Sequence, residues 1–304
     1  MAEPGSATRC GFVGIAGRPN VGKSTLVNAL VGSRVAIVSD QPQTTRRLIR
    51  GVVTEPEAGW QVVLSDLPGV QRPRDEMTAR MQHRVETEIE DSDAVLHVID
   101  GVAGVGSGDR WIAGTLLAAR RGAEVPLICA VNKCDRLTKA QTVVVLSAAA
   151  ELEGIDEVFP VSAKRGEVGE LRERLGELMP AGPFLFPPGA ASDAPAAIRF
   201  AELIREQALR RIWDEHPHAI DARITEIERD EQGRLIIDAE IWVETESQKG
   251  MLIGKAGKMV RQIGTAARRQ IEAETGEQVH LALQVVKRAS WRRDLSALDR
   301  LGIE

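Results

Sequence analysis

Tyrosine is absent from this 304-residue chain, and five phenylalanines and five tryptophans bring the aromatic content to only 3%. Proteins that read single strands by stacking bases on an aromatic sheet need such rings in number, so the scarcity argues against RRM-type and OB-type platforms. The three cysteines, Cys10, Cys129 and Cys134, are spaced neither as a disulfide framework nor as a zinc site, which points to a reducing cytoplasm. No apolar run approaches the roughly 18 residues that span a bilayer. The opening Met1-Ala2-Glu3-Pro4-Gly5-Ser6 lacks the basic start and apolar stretch of a secretory signal. Positive charge is in deficit overall, with 39 Lys and Arg against 44 Asp and Glu and a net charge of −5. That average hides a segregation. Residues 247–293 hold ten Lys and Arg against three Asp and Glu, whereas 199–246 hold seven against thirteen, so one region can meet phosphates while the whole stays acidic.

Against these absences stands one strong motif. Gly17-Arg18-Pro19-Asn20-Val21-Gly22-Lys23-Ser24 fits G-x-x-x-x-G-K-[ST] and follows the strand-like run Phe12-Val13-Gly14-Ile15-Ala16, as a phosphate cradle requires. A chance match in a chain of this length has a probability on the order of one in a hundred. Gly17 and Gly22 let the loop point backbone N–H groups at an anion. Lys23 adds a full charge at the β- and γ-phosphates, Ser24 offers a hydroxyl to Mg²⁺, and the helix beginning at Ser24-Thr25 favours negative charge at its N-terminus.

The chain reads as two domains. Residues 1–180 alternate strand-like and helix-like segments, which implies an α/β domain with a mostly parallel sheet covered on both faces. Strands at 48–54 and 60–65, with no helix between them, predict one antiparallel hairpin. A linker at 181–198 follows, rich in Pro and Gly. A smaller α+β domain occupies 199–304: helix 199–214, strands 219–227 and 235–243, a helix, a Gly-rich turn, helix 258–274 and strand 279–286.

Further motifs fall at strand ends, where open α/β sheets bind ligands. Asp66-Leu67-Pro68-Gly69 can hold Mg²⁺ through water and meet a γ-phosphate with a glycine N–H. In Asn132-Lys133-Cys134-Asp135, the Asp135 carboxylate can accept from guanine N1–H and from the exocyclic amine. Adenine lacks that pair, a mismatch able to support discrimination of about 10⁴-fold. Ser162-Ala163-Lys164 supplies a loop amide for the guanine carbonyl.

In the basic region, Gly254-Lys255-Ala256-Gly257 forms a G-x-x-G turn between helical patterns, the device with which KH domains clamp about four nucleotides. At 100° per residue, Lys258, Arg261, Arg268 and Arg269 share an arc of about 100°, with Met259, Val260, Ile263, Ala267 and Ile271 roughly opposite.

With these motifs in hand, the chain resembles translation-factor-like GTPases. Its GRPNVGKS loop, Pro42-Gln43-Thr44-Thr45-Arg46, Lys249-Gly250 before the G-x-x-G turn, and Trp291-Arg292-Arg293 are similar to the Era family in particular, over about residues 11–303. The resemblance implies a P-loop GTPase domain followed by a type II KH domain, converting GTP and water to GDP and phosphate slowly in isolation. It implies guanine-nucleotide contacts across Gly17, Arg18, Pro19, Asn20, Val21, Gly22, Lys23, Ser24 and Thr25, across Asp66, Leu67, Pro68, Gly69 and Val70, and at Asn132, Lys133, Asp135, Ser162, Ala163 and Lys164. Mg²⁺ would rest on Ser24, Asp66 and the switch residue Thr45, with Thr44 as the alternative. Catalysis would involve Lys23, Thr45 and Asn20, the last as a K⁺ ligand that offsets transition-state charge. Where Ras-like enzymes orient water with a Gln, this chain has Val70.

RNA binding would fall to Lys249, Gly254, Lys255, Ala256, Gly257, Lys258, Arg261 and Arg268, the partner being the 3′ end of small-subunit (16S) ribosomal RNA during 30S maturation. A cytoplasmic monomer, associating peripherally with the inner face of the membrane, is the implied setting. Leu67 in place of the family's usual Thr and Ala256 in place of a usual Gly are departures, as is the stretch after Ser192. Two other readings use the same motifs: a guanine-nucleotide sensor that docks on a protein or membrane, and a tRNA-directed GTPase.

Overall fold

The computed structural model describes residues 8–38, 45–70, 73–120, 125–212 and 219–303. Pro42, Gln43 and Thr44 lie outside them. The chain divides into two compact units, the first ending at Asp193 and the second running from Ala194, with Ile37, Val38 and Arg74–Arg80 grouped with the second.

In the first unit, short apolar runs become strands and the intervening amphipathic segments become helices. The order is β1 (Arg9–Gly17), α1 (Lys23–Val31), β2 (Ile49–Glu55), β3 (Trp60–Asp66), α2 (Glu76–Glu90), β4 (Ala94–Asp100), α3 (Ser107–Ala119), β5 (Leu127–Asn132), α4 (Lys139–Ala150), β6 (Glu157–Pro160) and α5 (Gly169–Leu178). The six strands lie in the order β2-β3-β1-β4-β5-β6. All neighbours are parallel except the β2–β3 pair, the hairpin that the missing helix predicted. Every residue of β3 is buried, as expected of a strand covered on both faces.

Parallel register decides where the motifs go. Ile15 pairs with Asp66, Gly17 with Val98 and Asp100 with Asn132, so four strands finish along one edge and deliver their following loops together. The last strand is shorter than the predicted 158–162. Pro160 lacks an N–H, which an edge strand tolerates; Val161 N still donates to Val131 O at 2.9 Å, and the chain leaves the ladder at Ser162, whose amide donates to Glu167 O at 3.1 Å.

The expected linker is largely part of the first unit. Gly182 N donates to Thr8 O and Val52 N to Ala191 O, each at 2.9 Å. The buried Gln61 side chain accepts the Leu185 and Phe186 amides at 2.8 and 3.0 Å and donates to Phe186 O at 2.9 Å. A proline-rich strap cannot satisfy its own backbone groups, and the side chain of a strand does it instead.

The second unit comprises α6 (Ala196–Leu209), β7 (Asp221–Arg229), β8 (Leu235–Val243), α7 (Glu246–Ile253), α8 (Lys258–Thr275), β9 (Val279–Lys287) and α9 (Leu295–Leu301). The sheet order is β7-β8-β9, antiparallel and then parallel. Ile204 and Ala208 from α6, Leu252 from α7, and Ile263 and Ala267 from α8 share one core with Ala239 and Ile241 of β8. This is the α+β arrangement read from the sequence. Helix α6 starts at Ala196, behind Pro195, rather than at 199, because proline suits a helix start. It ends at Leu209, with Arg210 as its C-cap, short of the predicted 214; residues 213–214 lie outside the described residues.

Candidate nucleotide and RNA sites

The loop after β1 wraps the start of α1. Gly22 has φ 97, and a Cβ there would sit 2.5 Å from Asn132 Nδ2, so only glycine lets this loop close against the β5 loop. Lys23 is buried and its Nζ donates to Gly17 O and Arg18 O, both at 3.1 Å. Burial pulls its pKa down to about 8, against the opposing charge of Asp66. An ammonium held on these two carbonyls at the mouth of the loop can meet phosphate oxygens bound there.

Beside it, the three oxygen-bearing side chains expected around Mg²⁺ come together. Ser24 Oγ donates to Asp66 Oδ2 at 2.7 Å and lies 3.0 Å from Thr45 Oγ1, which in turn donates to Asp66 Oδ2 at 3.3 Å. Asp66 is fully buried and Thr45 nearly so. Two hydroxyls and a carboxylate form a hard, all-oxygen donor set of the kind Mg²⁺ prefers alongside water and phosphate.

The base-binding loops interlock with the cradle. The Asn132 side chain donates to Val21 O at 3.0 Å and accepts the amides of Lys133 at 2.8 Å and Ala163 at 3.1 Å. With only 2% of its surface exposed, it ties three loops, and it engages the Ala163 amide expected for the guanine carbonyl. Lys133, in the left-handed region at φ 68, reaches Asn20 O at 2.9 Å and Asp100 Oδ2 at 2.7 Å. Burial would raise the Asp100 carboxyl, but Lys133 and the amides of Ala103 and Val102 hold it below its ordinary value. Asp135 accepts the Ser162 hydroxyl at 2.8 Å through one oxygen, and Arg165 lies 3.8 Å from the other.

Other residues expected at the nucleotide are placed as follows by the fold. Leu67 and Val70 pack into the core with Ala16, Val85 and Ile89, so their side chains are turned to apolar neighbours and only backbone is left to offer a ligand. Arg18 points to Asp109. Gly69 stays close to the cradle, since a Cβ there would lie 3.1 Å from Pro19 Cγ, while Lys164 is exposed on a short 3-10 turn at Ala163–Arg165. Asn20 has φ 65, a left-handed conformation that asparagine tolerates well, so the turn accounts for its residue type. Asp100, Asp109 and Arg165 were missed by sequence reasoning. A lone carboxylate or guanidinium carries no motif, and only folding shows what it meets.

In the second unit, the Gly254–Gly257 turn joins α7 to α8. Gly254 has φ 69, and a Cβ there would press within 2.8 Å of Met259 Cβ. Ala256 is left-handed as well, at φ 52, a conformation costing an L-residue roughly 1 kcal/mol. The Arg261 guanidinium folds back onto Ala256 O and onto Gly257 O, bracing the turn, while Lys255 and Lys258 remain exposed. The predicted basic face of α8 is divided between two grooves. One has apolar walls from Val260, Leu281 and Leu283 and is edged by Arg261 and Arg268. The other is lined by Arg211, Lys255, Lys258, Arg261 and Arg269. Lys249 stands on α7, outside the lining of both. Arg211 lay too far from the turn in sequence to be found by helical spacing.

Both units match known protein families. A family model described as 50S ribosome-binding GTPase matches residues 12–133, and a KH-domain model matches 215–290. GTPase Era of Mycobacterium sp. (strain JLS) is 43% identical over 301 residues, covering 98% of this chain and 99% of that protein. GTPase Era of Lactobacillus helveticus (strain DPC 4571) is 38% identical over 297 residues, covering 97% and 96%. Among solved structures, Era in complex with MgGDPNP and nucleotides 1506–1542 of 16S ribosomal RNA superposes with a TM-score of 0.92 at 32% identity, over 97% of this chain and 99% of that one. A point variant of Aquifex aeolicus Era bound to GDP·AlF4⁻ gives the same score at 31% identity, with the same coverage. Likeness of this extent, spanning both units and the motifs in each, places the chain in the Era family of GTPases.

Proposed function

We propose that this chain hydrolyses GTP as a molecular switch and, through its second unit, binds the 3′ end of 16S ribosomal RNA to assist assembly of the 30S subunit. The observation that carries the reading is the convergence of Ser24, Thr45 and Asp66 within hydrogen-bond distance beside Lys23, in a chain that also carries the G-x-x-G turn. Bound Mg²⁺ would supply positive charge to offset that of the β- and γ-phosphates. Lys23 and the loop amides would orient the phosphates, and Asp135 would select guanine. Thr45, held beside Ser24 and Asp66, would report the γ-phosphate as the switch residue.

Val70 offers no group to orient the attacking water, which supports slow turnover in isolation. Asn20 as a K⁺ ligand rests on the family resemblance. Asn20→Gly preserves the left-handed turn and removes the side chain, so unchanged K⁺ stimulation over Na⁺ in that variant would refute the assignment.

For RNA, the exposed Lys255 and Lys258 on a turn that admits a close backbone support a clamp on phosphates, with Lys249, Arg261 and Arg268 flanking it. The solved Era bound to 16S nucleotides has the same fold over both units. Cytoplasmic location is part of this reading. Peripheral membrane association rests on resemblance alone, and among the described residues no helix is long and apolar enough to cross a membrane. The decisive experiment crosslinks the full chain, loaded with GTP or a non-hydrolysable analogue, to cellular RNA and sequences what is bound. Small-subunit 3′ ends are expected; an RNA set dominated by tRNA, or no RNA at all, would overturn the proposal. Lys255→Asp with Lys258→Asp is the preferred loss-of-binding control, because Gly254→Asp would distort the turn.

A further inference from the structure

The segment between β4 and α3 holds the phosphate loop at two points. Arg18 sends its guanidinium away from the cradle: Nε donates to Asp109 Oδ1 at 2.8 Å, and Nη2 lies 3.4 Å from Gly104 O. Asp109 is completely buried in the first turn of α3, and its second oxygen accepts the Gly106 amide at 2.8 Å. The Arg18 stem runs over Gly108, where an added Cβ would lie 2.9 Å from Arg18 Cδ. At the other end of the segment, Asp100 accepts from Lys133, which also donates to Asn20 O, and its Oδ1 accepts the Val102 amide at 2.9 Å. The two carboxylates therefore grip residues 18 and 20, on either side of Pro19.

A guanidinium aimed at phosphates would not be committed to a fully buried carboxylate. Separating the pair would leave the Asp109 charge desolvated, so the arrangement is stiff. We propose that Asp109 and Asp100 are positioning residues that set the conformation of the phosphate loop, Asp109 through Arg18 and Asp100 through Lys133, and that Arg18 is a strut rather than a phosphate ligand. The inference rests on the guanine-nucleotide reading above.

The test measures GDP and non-hydrolysable GTP-analogue affinities of the full chain by fluorescence titration, with thermal melts on the same samples. Arg18→Gln and Asp109→Asn should each weaken both nucleotides by the same factor, between about tenfold and a hundredfold, the range for losing a charge-assisted hydrogen bond. The double variant should be no weaker than the worse single one, and Arg18→Lys should recover most of the loss. Asp100→Asn, which touches a less buried carboxylate, should weaken both nucleotides alike and keeps the test open if Asp109→Asn fails to fold. A larger loss for the GTP analogue than for GDP in Arg18→Gln, or penalties that multiply in the double variant, would show Arg18 acting at the phosphates and overturn the proposal. So would affinities unchanged in every variant. If the wild-type chain itself binds no guanine nucleotide, the functional reading fails instead, which is a separate result.

Discussion

His97 lies in the middle of β4, directly behind the phosphate loop, paired in register with Ala16 on one side and Cys129 on the other. It is fully buried, and neither ring nitrogen has a hydrogen-bond partner among the described residues. Burial pushes its pKa down to about 4; the charge of Asp109 opposes this, while Arg18 and Lys23 add to it. The folded protein therefore resists a proton that the unfolded chain takes up near pH 6.5. Between those two values the unfolded state binds more protons, so stability is complete above about pH 6.5 and is lost as pH falls toward 4. The full loss is about 3 kcal/mol, of which about 2 kcal/mol should have appeared by about pH 5. His97→Leu keeps a similar volume and removes both unpartnered nitrogens, so it should abolish that part of the acid slope and leave the protein at least as stable at about pH 7. Urea denaturation of the nucleotide-free chain at about pH 7, 6 and 5, compared between wild type and variant, reads the difference directly. Equal slopes in the two proteins would refute the reasoning, since they would mean that the imidazole is solvated or paired when the chain is folded.

Asp135→Asn exchanges an acceptor for a donor opposite guanine N1–H and its amine, so GDP affinity should fall by about a hundredfold or more. A base carrying a carbonyl at C2, as in xanthine, should gain in competition; unchanged preference would mean that Asp135 does not meet the base. Lys255→Ala and Lys258→Ala should each reduce the slope of log affinity against log salt for single-stranded RNA by about 0.7, measured by filter binding across a salt series. Ala256→Gly relieves a left-handed alanine and should stabilise the second unit by about 0.5 kcal/mol after the flexibility of glycine is counted. Gly254→Ala should destabilise it by more, because its methyl meets Met259. Both effects can be read from thermal melts.

Much of the molecule was legible before folding. Strand and helix types followed from short apolar runs and amphipathic periods, and the nucleotide motifs could be placed because each sits at the end of such a run. The parallel order then brings Gly17, Asp66, Asp100 and Asn132 to one edge. Residues 181–198 read as a linker because proline and glycine mark chain that forms no element, and nothing local discloses that the stretch through Asp193 joins the first unit, with Gln61 satisfying part of its backbone. The sequence by itself determined the two-unit plan, the guanine-selecting and phosphate-binding motifs, and the G-x-x-G turn, all of which depend on residues close together along the chain. Only the tertiary structure decided that Arg18 turns to Asp109, that Asn132 braces three loops, that Leu67 and Val70 belong to the core, and that the basic face of α8 splits between two grooves. Those outcomes depend on which distant groups burial brings into reach, and a buried charge or amide takes whatever partner is there because leaving it unpaired costs more.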